Sequence, residues 1–562
     1  LHSLRRRQRQ MCIRDSIYIA LSFLFSLVTV LSIIQSTKDR NIILLLFSTM
    51  MLCLMLRSLF ALATNLNIIP LSDSYADFAY ANFVYSTAKA PIMQGLVRVE
   101  AVSQWPLLHI LATILSLSTH IKLIYLASAI IPLIFQILSF SLFYIMTKLL
   151  LKHIGKRNNS NVILMQGITL LIFALFTHVI YEGMQFIRGN LGMTWIHFLL
   201  YLLLKHFYSG TIRGKSMVVL SLCLIAFVFS HHYSVGAFTI FILSMFILSY
   251  LYDIDKRILI VTLVLLLTSI GTWWSYYAFR AFNYASMRLP SYLISLTYQY
   301  TRQFERAVKL SELRPIEILG LILFRDAVIY GLVGISSIWL LFRCFRAKIA
   351  KYLKVSSTGK MQSATEGTLS VMIACVLVDY VIVHFLTGGA DKCIAFYAPI
   401  LIGGCIYFIS SIPYLNSRRG SSIVLVLLLI ASMGTFLAPY SHNYAPIYLY
   451  DSSVRPETTN SHNPRYYCVD SFLNELVSNS FYYISDDDDI LYALIKPQKL
   501  RLICYYKVHR YAYKCKYAYK YKYPLIVRFG SYPTHSKFWH YCDEHLEKIY
   551  SAGIPEIYLD RR

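Results

Sequence analysis

Residues 122–150, KLIYLASAIIPLIFQILSFSLFYIMTKLL, form one apolar run whose only charged members, Lys122 and Lys148, lie near its ends. A helix needs about 20 mainly apolar residues to cross the hydrocarbon core of a bilayer, and this run is longer than that. The whole chain of 562 residues has the same character: 57% are hydrophobic, 14% are charged, and the mean hydropathy is +0.54. These proportions exclude a soluble cytosolic enzyme and predict a membrane protein.

Comparable apolar runs recur along the chain and predict about twelve transmembrane helices. They lie near residues 17–35, 41–64, 122–150, 161–181, 191–207, 216–232, 234–252, 258–276, 316–343, 367–387, 394–412 and 420–440. Segment 105–118, WPLLHILATILSLS, is apolar but too short to cross, so we expect it to lie at the membrane surface after a long first outer loop, residues 65–104. The predicted fold class is an all-α polytopic membrane protein with a small α/β region at its carboxyl end.

The charge distribution predicts the orientation. The net charge of +25 comes from 53 Lys and Arg against 28 Asp and Glu. With loop 65–104 outside, six connectors fall inside (36–40, 151–160, 208–215, 253–257, 344–366 and 413–419), and they hold sixteen Lys and Arg. Connector 277–315, which is predicted to lie outside, also holds six Lys and Arg, and this reduces the difference in charge between inner and outer connectors. Basic inner connectors are typical of membrane orientation, so we expect a multi-pass protein of the cell membrane with no nucleic-acid partner.

The two ends of the chain differ from the apolar body. Residues 1–16, LHSLRRRQRQMCIRDS, resemble translated sequencing-adapter readthrough and are interpreted as an artefact, which leaves 17–440 as the transmembrane domain. Residues 441–562 are polar and rich in turns, and an even number of crossings places them outside as a small soluble domain. Within them, KIYSAGIPEIYL (548–559) predicts a strand, a glycine turn and a second strand.

This carboxyl-terminal region has three further features. The tract 499–528 alternates Tyr with Lys, which predicts either a surface for phosphate or acidic glycan, or a solvated edge strand. Residues 486–489 are four Asp, which could hold a cation or form a solvated turn. Two disulfides are chemically allowed, in any of three pairings, among Cys468, Cys504, Cys515 and Cys542.

Acidic residues in the first outer loop are the first candidates for chemistry. Asp73 and Asp77 are four residues apart in LSDSYADFAYANF, so a helix would place them on one face. Two close carboxylates can act as a general base or bind a divalent ion together. Asp73 could equally be an ordinary helix cap, and spacing alone favours that reading. Glu100, later in the loop, is a further acidic candidate.

Basic and imidazole side chains are predicted at the same outer face. They are Arg188 in YEGMQFIRGN, His231 and His232 after the apolar run that ends near residue 230, and Lys392 in GGADKCIAFYAP. Arginine and lysine at the outer lipid boundary suit a phosphate headgroup, arginine through its bidentate fork. Each could singly be a snorkelling or capping residue. Their joint placement, decided by a charge count that did not use them, favours a site.

Together these motifs resemble the polytopic GT-C glycosyltransferases, especially archaeal members of unknown substrate. The resemblance covers residues 41–412 and departs in one place, because Asp-Ser-Tyr-Ala-Asp (73–77) replaces the family's adjacent Asp-Glu pair. The motifs that carry it are an early acidic residue in the first outer loop, Trp-Pro-Leu-Leu-His (105–109), an Arg ahead of Leu-Gly (188–192), His-His-Tyr-Ser (231–234), and a late Lys followed by Tyr-x-Pro (392–399).

The resemblance implies transfer of a sugar from a lipid-phosphate donor to a glycan, lipid or protein acceptor at the outer membrane face. Asp73 would be the catalytic carboxylate, with Asp77 or Glu100 as a second acid; Arg188, His231, His232 and Lys392 would lie near the donor phosphate. No cofactor is implied, and a divalent cation is optional because phosphate is already a good leaving group. Two alternatives stay open: a secondary transporter, and a non-catalytic scaffold of the cell surface.

Overall fold

The fold is taken from a computed structural model, which describes part of the chain. The described residues are 23–39, 41–63, 72–90, 103–153, 159–209, 214–250, 252, 255–276, 278, 316–352, 364–387, 391–412, 415, 417–437, 482–485, 503–505, 524–528, 547–551 and 556–559. All statements below concern these residues.

Helices account for the apolar body of the chain. They are α1 (23–39), α2 (Ile42–Ala63), α3 (Ser72–Thr87), α4 (Leu107–Thr119), α5 (Leu123–Tyr125), α6 (Ile131–His153), α7 (Asn159–Leu175), α8 (Thr177–Gly183), α9 (Arg188–Ser209), α10 (Gly214–Val228), α11 (His232–Ser249), α12 (Lys256–Tyr276), α13 (Ile316–Tyr352), α14 (Ala364–Thr387), α15 (Asp391–Phe396), α16 (Ala398–Ser411) and α17 (Arg418–Leu437).

Five of the described helices are long and apolar enough to cross a membrane, which makes this a multi-pass membrane protein. Their spans are Leu123–Lys152, His232–Ser249, Lys256–Ser275, Leu323–Ile349 and Glu366–Val383. Each of the twelve predicted runs overlaps a helix, but several of these helices are shorter than a bilayer requires. The count of twelve crossings therefore stays a prediction. Segment 105–118 forms α4, a short apolar helix, within two residues of the expected bounds.

Several of the predicted runs are not regular helices throughout. The run 122–150 contains a π-helical turn, Leu126–Ile130, directly before Pro132. Proline cannot donate to the preceding turn and its ring crowds it, and a π-turn relieves that conflict by widening the helix. The run 161–181 is broken at Phe176, whose backbone is extended (φ −71°, ψ 107°), so α7 ends at Leu175 and α8 begins at Thr177.

The chain divides into two compact units. One comprises Leu1–Leu59, Pro132–Met184 and Gly189–Tyr448, and its core is the apolar interior among α6, α7, α9, α11, α14 and α16. The other comprises Phe60–Ile131, Gln185–Arg188 and Leu449–Arg562. It contains α3, α4, α5 and the strands.

Five strands form one sheet with the order β2-β1-β3-β5-β4: β1 (Tyr482–Ser485), β2 (Ile503–Tyr505), β3 (Pro524–Arg528), β4 (Glu547–Ser551) and β5 (Glu556–Leu559). β1 pairs in parallel with β2 and β3, whereas β5 is antiparallel to both β3 and β4. The β4–β5 pair falls on the segment for which the sequence predicts strand, turn and strand.

Most of the other carboxyl-terminal predictions concern residues outside the described part of the chain. Residues 486–489 and most of the Tyr-Lys tract lie outside the described residues. Cys504 lies in β2, and Cys468, Cys515 and Cys542 lie outside the described part, so the disulfides stay a prediction. The same holds for an α/β domain on the outer face.

Candidate functional site

The segment predicted as the first outer loop contains a helix, α3, that packs against α4. Alanine, phenylalanine, tyrosine and valine along α3 give it one buried face at helical spacing, and Asp77 is part of that face. The buried residues of α3 are Ser74, Asp77, Phe78, Tyr80, Ala81 and Val84, and those of α4 are Leu108, His109, Ala112, Thr113 and Ser116. An acidic side chain is thus buried between two largely apolar helices.

Asp77 is compensated by two partners that meet the same carboxylate oxygen. The Nε2 atom of His109 lies 2.8 Å from Asp77 Oδ1. The Nε atom of Arg188, the first residue of α9, also lies 2.8 Å from Asp77 Oδ1. Burying a carboxylate without a partner is costly, so this arrangement explains how Asp77 can lie in the interior.

Of the three side chains, the arginine is the one that reaches the surface. Arg188 is 12% exposed, Asp77 is 3% exposed and His109 is fully buried. The guanidinium carbon of Arg188 lies 6.0 Å from the centroid of the Trp105 ring, at the outer limit of a cation–π contact. Trp105 is itself buried, at the start of the Trp-Pro-Leu-Leu-His segment. In this cluster the partly exposed guanidinium of Arg188 therefore lies beside two buried side chains, the Trp105 ring and the Asp77 carboxylate.

The protonation states follow from this packing. Burial raises the pKa of Asp77, but the charge of Arg188 and the contact with His109 outweigh it, so the pKa of Asp77 lies below its usual value. Burial lowers the pKa of His109, and its contact with Asp77 only partly offsets this. Asp77 is therefore a carboxylate and His109 a neutral imidazole near pH 7.

Polar contacts hold the two ends of the turn that precedes α9. The amide of Gln136 donates to Asn190 Oδ1 at 3.4 Å, and the amide of Asn190 donates to the carbonyl of Gly183 at 3.3 Å. A side chain at position 183 would displace the Gln136 amide, because a Cβ there would lie 1.9 Å from the amide nitrogen. Gly183 and Asn190 flank the turn 184–187 in sequence, and Arg188 follows the turn directly.

The unit that includes Gly189–Tyr448 contains its own group of predicted residues. His231 precedes α11 and is buried, and its Nδ1 accepts a hydrogen bond from the backbone N–H of Ser234 at 3.4 Å. His232 is exposed, and the centroid of its ring lies 5.0 Å from the centroid of the His231 ring. Tyr233 lies beside α15, with its hydroxyl 3.8 Å from Cys393 Sγ. Lys392, half-buried, is the residue before Cys393, so the His-His-Tyr-Ser and lysine segments are neighbours within this unit.

The close approach of α9 to this group explains a glycine in the Arg-x-x-Leu-Gly motif. A Cβ at Gly192 would lie 2.2 Å from Ser234 Oγ and 3.3 Å from His231 Cβ. Any side chain at this position would displace the start of α11, so glycine lets the two helices touch.

The structure thus brings predicted residues together in two places. Asp77 and Arg188 form one pair, and His231, His232 and Lys392 share the other neighbourhood. Asp73 lies in the first turn of α3, one helical turn before Asp77, and its side chain is not described. Glu100 lies outside the described residues.

Three residues of the Asp77 cluster were not among the predicted site residues: His109, Trp105 and Tyr80. The signal for His109 and Trp105 was present, because both lie in the Trp-Pro-Leu-Leu-His segment that carries the family resemblance. Tyr80 packs edge-on against His109, with ring centroids 4.8 Å apart and an interplanar angle of 82°. Among the residues that the structure describes, no group of three or more His, Cys, Asp or Glu is placed to hold a metal ion.

Comparisons with known proteins agree at the level of the fold. No family model and no curated protein matches the sequence. Among solved structures, the archaeal oligosaccharyltransferase AglB from Archaeoglobus fulgidus, in complex with an inhibitory peptide and a dolichol-phosphate, matches with a TM-score of 0.50 and 11% identity over 86% of this chain and 69% of that chain. The Archaeoglobus fulgidus oligosaccharyltransferase in complex with Zn and sulfate matches with a TM-score of 0.52 and 12% identity. The match covers 86% of this chain and 67% of that chain.

The apo form of the Archaeoglobus fulgidus oligosaccharyltransferase matches as well, with a TM-score of 0.50 and 10% identity over 85% of this chain and 69% of that chain. Identities this low carry the fold and not the activity. The chain therefore has the GT-C-like polytopic membrane fold of the archaeal oligosaccharyltransferases.

Proposed function

We propose that this protein is a membrane glycosyltransferase that transfers a sugar from a lipid-phosphate donor to an acceptor at the outer membrane face, and that Arg188 binds the donor phosphate. The observation that carries the proposal is the ion pair between Arg188 and the buried carboxylate of Asp77, 2.8 Å apart in N to O distance. The GT-C-like fold supports the same class of reaction.

The ion pair suits phosphate binding because the Asp77 carboxylate lies at the Nε atom of the arginine. A guanidinium has five N–H donors in a fixed fork, and Asp77 lies at Nε. Fixing Arg188 at Nε sets the direction of the whole fork before any ligand arrives. A pre-oriented arginine loses less side-chain entropy when it binds an anion, so it binds more tightly than a mobile surface arginine.

The low pKa of Asp77 gives this residue a different role from the catalytic base. A base works best when its pKa lies near the working pH, and the pKa of Asp77 is held below its usual value. Taking a proton would also weaken its pair with Arg188. We therefore propose Asp73 as the base and Asp77 as the residue that holds Arg188, with Glu100 as the alternative base.

The reaction would be a single displacement at the anomeric carbon of the sugar. Asp73 accepts the proton of the acceptor hydroxyl, the new glycosidic bond forms, and the bond from sugar to lipid phosphate breaks. Arg188 stabilises the charge that the departing phosphate gains. His231, His232 and Lys392 are proposed as further donors to a lipid phosphate on the basis of residue type and the family resemblance.

Because the AglB neighbour is in complex with a dolichol-phosphate, a dolichyl-phosphate sugar is the first donor to test. Because that complex also contains an inhibitory peptide, a peptide is one of the acceptors to test. One observation favours a transporter instead: Asp379 is fully buried in the middle of α14, within a candidate membrane span. Arg325 is also buried within a helix, but it pairs with its neighbour Asp326, which suits a structural role.

The deciding experiment is sugar transfer in nanodiscs with purified protein, radiolabelled dolichyl-phosphate mannose or glucose, and peptide, glycan and lipid acceptors. We expect transfer by the wild type, and strong loss in Arg188→Ala. Arg343→Ala is the matched control, since Arg343 also pairs with a carboxylate, Glu366, but is 43% exposed. Uptake of solutes without any transfer, or full transfer by Arg188→Ala, would overturn the proposal.

A further inference from the structure

His109 is the most deeply buried member of the Asp77 cluster, and nothing above gives it a chemical role. It is fully buried, so it does not itself present a surface to a ligand. α3 contacts it twice from one face: Asp77 Oδ1 lies 2.8 Å from its Nε2, and the Tyr80 ring packs edge-on at 4.8 Å. Asp77 and Tyr80 are three residues apart, which is the helical spacing of side chains on one face.

The protonation state fixes the direction of this hydrogen bond. Because burial holds the pKa of His109 below its usual value, the ring is neutral, and a neutral imidazole can contact a carboxylate only by donating. The proton therefore sits on Nε2, which donates to Asp77 Oδ1. A second positive charge on His109 would also face the Arg188 guanidinium across the same oxygen.

We infer that His109 is a positioning residue: its Nε2–H fixes the Asp77 carboxylate, and that carboxylate fixes Arg188 for anion binding. The inference rests on the proposed function of Arg188. The Nε2–H of His109 and the positive charge of Arg188 meet the carboxylate at the same oxygen, which restricts its rotation about the last side-chain bond. Without the Nε2–H, the carboxylate turns and Arg188 loses its orientation, although the ion pair can still form.

His109 could instead act only by filling space between the helices. Two substitutions distinguish this packing role from the hydrogen-bonding role. Gln extends an amide N–H to about the place of the imidazole Nε2. Met has similar length and volume but no donor. His109→Gln therefore keeps the bond to Asp77, whereas His109→Met keeps only the packing. If packing were the whole role of His109, the two variants would behave alike.

The experiment is binding of labelled dolichyl phosphate to the full-length protein in nanodiscs. We compare the wild type, His109→Gln, His109→Met, Arg188→Ala, and the double variant His109→Met with Arg188→Ala. We expect Gln to bind like the wild type and Met to bind about tenfold more weakly, which is the size of one charge-assisted hydrogen bond. The double variant should bind no more weakly than Arg188→Ala alone, because His109 acts through Arg188.

Different outcomes would overturn the role of His109 and the proposed function of the protein. Equal binding by the wild type and the Met variant, equal loss in the Gln and Met variants, or a further loss in the double variant would overturn the role of His109 and leave the proposed function intact. No binding by the wild type would overturn the proposed function and this inference with it. Thermal unfolding reports whether the Met variant folds; if it does not, His109→Asn, whose amide is too short to reach Asp77, replaces it with the same expectation.

Discussion

The carboxylate of Asp77 in helix α3 and the guanidinium of Arg188 at the start of helix α9 form an ion pair with an N to O distance of 2.8 Å. Asp77 is 3% exposed and Arg188 is 12% exposed, so water screens this pair poorly. A buried ion pair stabilises little in itself, but removal of either partner leaves the other as an uncompensated charge. The strongest expectations for stability therefore concern these two residues.

Arg188→Ala should destabilise the folded protein, because Asp77 is then buried without a counter-charge. We expect a loss of about 3–5 kcal/mol, the typical cost of breaking a buried pair. The measurement is thermal unfolding in detergent, followed by tryptophan fluorescence. Arg343→Ala is again the control and should destabilise the protein less, since Arg343 is 43% exposed and water can take its place beside Glu366. Equal effects of the two substitutions would contradict a buried, poorly screened pair.

The stability of the protein should depend on the charge of Asp77 in acid. Its pKa is lower in the folded state than in the unfolded chain, so its contribution is fully present above the ordinary pKa of aspartate, about 3.9. That contribution is lost as the pH falls through the folded-state value. The gap in unfolding temperature between wild type and Asp77→Asn should therefore be constant from about pH 8 to 5 and shrink below about pH 4.

Asp255→Asn is the control for this pH series. The carboxylate of Asp255 also contacts a histidine, His206, at 3.0 Å, but it is 44% exposed, so its charge is well screened. We expect the Asp255 variant to follow the wild type closely over the whole series. A gap for Asp77→Asn that widens in acid would mean that Asp77 is protonated in the folded protein, contrary to its contacts.

The helices were predictable from the sequence because apolar length and composition alone decide where a helix can cross a bilayer. The breaks within them were not. Phe176 interrupts an apolar run without any proline or glycine at that point, and its extended backbone depends on tertiary packing around it. The π-turn before Pro132 is different, because a proline inside a long apolar run is itself a signal of helix distortion.

For the site, spacing predicted which residues share a helix but not which residues meet. Asp73 and Asp77 were expected on one helix face, and both lie in α3. The pairing of Asp77 with Arg188 joins segments far apart in sequence, and helical periodicity carries no information about such contacts. His109 lay in a quoted motif, yet its partner could be found only from the packing of α4 on α3.

The orientation of the protein can be tested by labelling single introduced cysteines in intact cells with a reagent that cannot cross the membrane. Twelve crossings with loop 65–104 outside predict that cysteines at Ser72, Thr301 and Ser461 are labelled and that cysteines at Ser160 and Ser356 are protected. The background is a variant without reactive native cysteines. Labelling of the second group would reverse the orientation, and with it the outer location of the proposed site.

The last prediction concerns the catalytic base. Replacement of Asp73 by Asn keeps the size and hydrogen bonding of the side chain but removes the proton acceptor, so transfer from dolichyl-phosphate sugar should slow by about 10²- to 10⁴-fold. Donor affinity should change little, because Asp73 acts in the transition state only. Were Asp73 a helix cap alone, Asn would cap equally well and the variant would be close to wild type.

Asp77→Asn and Glu100→Gln complete the comparison, with Asp255→Asn as the control. If Asp77 holds Arg188, its Asn variant should bind dolichyl phosphate more weakly as well as turn over more slowly, a pattern that differs from loss of a base. Loss of rate at Asp77 with unchanged donor affinity would instead move the base one helical turn along α3. A loss confined to Glu100→Gln would move it to the later part of the loop. Full activity in all three variants would remove every acidic residue that the mechanism can use, and the glycosyltransferase proposal would fail with it.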